Sequence, residues 1–219
     1  MGWLGNSYDF LVKGGPVMAP LMICSILSVA VMIERLITVS RARVDSDALM
    51  SRVEQFAKRG EIKQAVRQCE EAGGFVGTML AAGLRSRSFD PGMMERAMQE
   101  AASKQTPELH KRLSVLDTII TIAPLLGLLG TVTGMIRSFH VISTKHGMSA
   151  PTAITGGVAE ALIATATGLA IAIGTLVGYN YLNERVSSLI REGEATANHL
   201  INVVGESEEG GHEITVLSA

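Results

Sequence analysis

The chain predicts an all-α membrane protein with three transmembrane helices and long cytosolic helical extensions. Three observations carry that prediction. Apolar residues gather in three long runs, at 17–33, 118–136 and 147–183, the first two uncharged and the last interrupted only by Glu160. Charged residues, 18% of the 219, fall mostly in the blocks between and after those runs. Glycine is abundant, at 23 residues, while aromatics are only 4%, a balance that suits close helix packing in lipid better than an aromatic soluble core. The net charge of −2 argues against a nucleic-acid binder.

The first span is expected at 16–39, after a short periplasmic N-terminus at 1–15. Pro16 and Pro20 suit a helix start, where a missing N–H costs little. A cleaved signal peptide is the competing reading. One basic residue upstream, Lys13, and the lack of a following A-x-A-like site weigh against it. The second span is expected at 116–139, with a cytosolic extension from about residue 91, and the third at 152–182. Each run meets the roughly 20-residue need of a bilayer crossing. Arg35, Arg41, Arg43, Lys104, Lys111, Arg112, Arg185 and Arg191 lie on one side; Lys13, Arg137 and Lys145 lie on the other. The positive-inside rule then sets the N-terminus in the periplasm, the C-terminus in the cytoplasm and residues 140–151 as a short periplasmic loop.

Residues 40–115 form the cytosolic helical domain. Asp45 or Ser46 can cap a helix whose stripe is Leu49, Val53, Phe56 and Ala57. Gly60 breaks it. Ile62, Ala65, Val66 and Cys69 make a second stripe that Gly73-Gly74 ends. Residues 75–84 are a small apolar helix, and Asp90-Pro91 starts another. From there the pattern reads as helical to Ile136, with kinks and no break at Pro107 and Pro124. A helical extension at 183–204 precedes an acidic, glycine-containing tail at 205–219, expected to be disordered. Cys24 and Cys69 sit in different regions, so no mutual disulfide is expected.

The chemistry centres on Glu160. A carboxylate within a span is expensive and usually faces protein or water. It lies about nine residues into the third span, roughly 13 Å at 1.5 Å per residue. That span holds no Lys or Arg to pair with it, and desolvation favours the neutral form, so Glu160 is a candidate proton site. A position at the interface, stabilised by the helix dipole, is the bland alternative. Thr165 and Thr167 follow on the same helix, and Thr131 and Thr133 lie on the second. Their hydroxyls suit a polar pore, although each more simply bonds a carbonyl one turn back. Gly127, Gly130 and Gly134 leave one stripe of the second helix bare. Gly157, Ala161, Ala164, Gly168 and Ala172 do the same on the third, so these faces should pack closely. No phosphate loop, H-E-x-x-H or Cys/His cluster is found, and no enzyme activity, cofactor or metal is expected.

The stretch Ala123-Pro124-Leu125-Leu126-Gly127-Leu128-Leu129-Gly130-Thr131-Val132-Thr133-Gly134-Met135-Ile136, with Phe139, resembles the second-helix signature of the ExbB/TolQ proton-channel family. Residues Gly156 to Leu169, with Ala159-Glu160-Ala161-Leu162 at their centre, resemble its third-helix signature. Gly15-Pro16-Val17 and Glu34-Arg35 fit the first helix. The resemblance extends to about Ile201 and implies an ExbB-like member: a subunit of a homopentameric ring in the bacterial inner membrane. It further implies a dimeric ExbD/TolR-like single-span partner inside the ring, a TonB/TolA-like protein as a further candidate partner, and use of the proton motive force for outer-membrane transport or envelope work. Glu160, Thr165 and Thr131 match the family's pore-facing polar residues. Thr133 and Gly174 stand where relatives often have Trp and Pro. A TolQ-like or gliding-type motor subunit, a non-conducting membrane scaffold and a secondary transporter are the alternatives. The transporter is disfavoured because no inverted repeat is visible.

Overall fold

Long apolar periodicity and well-placed caps give a structure built of helices. The computed structural model describes residues 14–86, 91–144 and 150–217. Its helices are α1 (Met18–Ala42), α2 (Ser46–Lys58), α3 (Ile62–Ala72), α4 (Gly74–Ser86), α5 (Pro91–His110), α6 (Leu113–Thr144) and α7 (Ala150–Leu217). Among the described residues, three stretches are long and apolar enough to cross a membrane, one each in the regions of α1, α6 and α7. The chain divides into two compact units. The first comprises Met1–Glu34 and Arg112–Tyr181, the second Arg35–Lys111 and Leu182–Ala219.

The first unit includes residues 116–139 and the larger part of 16–39 and 152–182. Val17, Met18 and Leu21 of the first segment are buried with Ile119, Ala123 and Ala172, and Cys24, Val115, Leu126 and Ile171 pack around them. Much of the remaining apolar surface is outward: Ile23, Leu128, Ile136, Leu162, Ile173 and Val177 are all exposed in the single chain. Such a surface would be a liability in water and is what lipid or neighbouring subunits cover. Buried hydroxyls are satisfied by their own helices. Ser28 donates to Ser25 O at 3.0 Å, Ser138 to Gly134 O at 3.1 Å and Thr175 to Ile171 O at 2.7 Å. That leaves no need for water where hydrocarbon supplies none.

The second unit follows the predicted stripes. Asp45 caps α2, its Oδ1 accepting from Ala48 N at 3.0 Å. Leu49, Val53 and Ala57 are buried, and Phe56 is half-buried. Gly60, at φ +74°, turns the chain into α3, whose Ala65 and Cys69 are fully buried. Gly73 and Gly74, at φ +62° and +64°, make the next turn, and only glycine adopts two such conformations in succession cheaply. Phe75, Met79, Leu80 and Leu84 of α4 are buried, as are Met94 and Met98 of α5 and Val186, Leu189 and Leu200 of α7. Both cysteines are free. Burial pushes the Cys69 thiol up to about 12.

Three expectations are corrected. The helix read as continuous from 91 to 136 stops at His110 and restarts at Leu113, while Pro107 and Pro124 both lie inside helices. Arg112 takes a left-handed φ of 63° there. Its ion pair with Glu34 at 2.7 Å offsets part of the strain. The Arg35 Nη1 donates to Glu108 O at 3.1 Å, satisfying a carbonyl at the end of α5. Second, α6 runs on to Thr144, into the segment read as a loop, so His140 is helical; His146 and the rest of 145–149 lie outside the described residues. Third, α7 runs past Gly205 to Leu217, where a disordered acidic tail is expected. Extending a helix already formed needs no new nucleus, and Glu206, Glu208 and Glu209 are good helix formers.

Candidate functional site

The small-residue faces of α6 and α7 set the site. They meet in antiparallel register, and the backbones touch. A Cβ built on Gly168 would lie 2.5 Å from Ala123 O, and one on Gly127 would lie 3.0 Å from Thr165 Cα. One on Gly130 would meet Ala164 Cβ at 2.5 Å, and one on Gly134 would meet Gly157 O at 2.9 Å. All four glycines are buried. The glycine stripes of α6 and α7 are therefore the two sides of one seam.

Arg137, one turn beyond Gly134 on α6, reaches Glu160, which stands between Gly157 and Ala161 on α7. The Arg137 Nη1 lies 2.6 Å from Glu160 Oε1 and 2.9 Å from Oε2. The Glu160 side chain is 19% exposed and that of Arg137 50%. The carboxylate thus has a fixed cation, which corrects the expectation that it has none. The cation comes from the neighbouring helix, at the end of the uncharged run 118–136. The uncharged run 161–183 begins directly after Glu160 and is by itself long enough to cross a bilayer. Glu160 therefore lies on the side of that run nearest the α6–α7 connection.

Gly15 closes the other side. Its φ is +73°, and a Cβ there would collide with Glu160 Oε1 and lie 2.7 Å from its Cδ. The chain entering α1 is in contact with the carboxylate, and glycine is required twice over, for conformation and for space. Arg137 and Gly15 are the two residues the sequence reading missed in this role. Arg137 entered it only as a topological charge and Gly15 only as part of a motif. The signal available was spacing: Arg137 lies three residues after Gly134 and Glu160 four before Ala164, each continuing the period of a small-residue stripe.

The threonines divide. The Thr165 hydroxyl donates across the seam to Gly127 O at 2.9 Å. Thr131 donates to Leu128 O at 2.6 Å, Thr133 to Leu129 O at 2.9 Å and Thr167 to Ile163 O at 2.8 Å, each within its own helix. All four are half-buried. Each hydroxyl oxygen keeps capacity to accept a further hydrogen bond. Among the described residues no group of three or more His, Cys, Asp or Glu is placed to hold a metal ion.

Comparison with known proteins bears directly on this seam. The MotA/TolQ/ExbB proton channel family matches residues 71–195, a range that includes α6, Glu160, Arg137 and all four threonines. The chain belongs to this family. It is 36% identical over 181 residues to the biopolymer transport protein ExbB-like 1 of Synechocystis sp., covering 80% of this chain and 69% of that one. It is 32% identical over 185 residues to ExbB-like 3 of the same organism, covering 83% and 88%. The TolQ protein of the Tol-Pal system of Pseudomonas aeruginosa is 40% identical over 95 residues, 43% of this chain and 41% of that protein. A transport function of the proton-channel type, in a membrane protein of three long apolar helices, follows from family and structure together.

Proposed function

We propose that the chain is an ExbB-like subunit of a proton-driven motor in the bacterial inner membrane. Five copies form a ring around a dimeric ExbD/TolR-like single-span partner, and a TonB/TolA-like protein receives the work at the envelope. The N-terminus is periplasmic and the C-terminus cytoplasmic. Glu160 takes up and releases the proton, and Thr165, Thr131, Thr167 and Thr133 supply the polar lining. The observation that carries this reading is a carboxylate at the mouth of the tightly packed α6–α7 seam, in a chain of a proton-channel family. An ExbB-like role is favoured over a TolQ-like one because the ExbB-like relatives align over most of the chain and the TolQ relative over less than half.

A second reading has its own support: the Arg137 pair allows Glu160 to be a purely structural anion in a non-conducting scaffold. Glu160→Gln separates the two. It keeps size and hydrogen bonding but cannot release a proton. In proteoliposomes holding a pH-sensitive dye and the partner, the Gln variant should assemble yet lose proton flux, and Glu160→Asp should keep part of it. Wild-type flux through Glu160→Gln would refute the carrier role.

A further inference from the structure

The Arg137–Glu160 pair does more than satisfy two charges. One guanidinium nitrogen reaches both carboxylate oxygens, at 2.6 and 2.9 Å. The carboxylate is also hemmed in by the Gly15 backbone, which leaves no room for even a methyl group. The Arg137 side chain is half exposed and carries its guanidinium on a long, flexible stem, so of the two partners it has the greater freedom to swing away.

Charge decides the resting state. An arginine does not release its proton in a protein. While the pair is closed, both carboxylate oxygens accept from that cation, and the geometry holds them against α6. We propose that Arg137 is a positioning residue for Glu160: it clamps the carboxylate as an anion against α6, and the clamp opens before Glu160 takes up a proton. That Glu160 takes up a proton rests on the function proposed above; the clamp itself does not.

Dicyclohexylcarbodiimide tests the clamp directly, because it modifies a protonated carboxyl in apolar surroundings and spares an ion-paired carboxylate. The full chain, in lipid vesicles at neutral pH, is treated with the reagent. Mass spectrometry then follows the adduct on the proteolytic peptide carrying Glu160. Wild-type Glu160 should react slowly. Arg137→Gln should react roughly tenfold to a hundredfold faster, the range a lost charge-assisted hydrogen bond corresponds to. Arg137→Lys should restore most of the protection, which a mere loss of packing would not predict, and Arg137→Gln with Glu160→Gln should give no adduct at this position. Native mass spectrometry checks that each variant assembles as the wild type does.

Equal labelling of wild type and Arg137→Gln overturns the clamp. Stoichiometric labelling of the wild type at neutral pH overturns it too, without any variant that must fold. The flux experiment on Glu160→Gln stands apart: if that variant conducts while Arg137→Gln unmasks Glu160 to the reagent, the proposed carrier role fails and the clamp remains.

Discussion

Substituting Gly168 by alanine tests the seam most sharply. The added Cβ would lie 2.5 Å from Ala123 O and 3.2 Å from Gly127 Cα. Both are backbone atoms, so no side chain can give way. Reaching an ordinary contact of 3.4 Å requires α6 and α7 to part locally by about 0.9 Å, the difference between 3.4 and 2.5 Å. The Thr165–Gly127 hydrogen bond, at 2.9 Å and within one turn of Gly168, would then stretch past a useful length. Overpacking of this kind costs about 1–3 kcal/mol, and the weakened hydrogen bond lies at about 0.5–1.5 kcal/mol within it. Gly174 is the control: it is helical, and nothing stands within 4 Å of its Cβ position. Gly174→Ala should be neutral or stabilising by up to about 1 kcal/mol from helix propensity alone. Reversible unfolding by dodecyl sulfate in mixed micelles measures both. For a chain of this size the Gly168 variant should also lower the thermal midpoint by roughly 2–4 °C per kcal/mol. Equal effects at the two glycines would refute the reasoning, because they would show that backbone contact at Gly168 does not limit the structure.

Thr165→Val, which keeps shape but cannot donate, should cost about 0.6 kcal/mol in the same assay, with an upper bound near 1.5, and Thr165→Ser should recover most of it. Cys69 should resist alkylation in the folded protein until the pH nears 12 and react quickly once the chain unfolds, as followed by maleimide mass shift. Because burial raises this thiol from 9.0 to about 12, the folded state is favoured below pH 9 by keeping it neutral. That contribution should fall as the pH rises from about 9 to about 12, where the unfolded chain alone ionises, and a Cys69→Ala variant should not show that fall.

What the sequence by itself determined is local. Long uncharged runs identified the spans, because a helix in lipid must satisfy its own backbone and hide few charges. Asp45, Gly60 and Gly73-Gly74 marked the starts and stops of α2, α3 and α4, because capping and left-handed turns depend on the residue present and its near neighbours. The glycine and alanine stripes were legible from helical period alone. Tertiary structure decided which residues those stripes bring face to face. The register of α6 against α7 depends on where two backbones fit, and it joins Arg137 to Glu160 across 23 residues and Thr165 to Gly127 across 38. The same holds for Gly15, whose proximity to Glu160 depends on how the entry to α1 packs. The break at Arg112 was equally hidden, since no glycine or proline marks it. Arg112 is left-handed there, and its side chain pairs with Glu34, distant in sequence. Periodicity says which face a residue occupies; only packing between helices says what that face meets, and the charge environment of Glu160 is a property of that meeting.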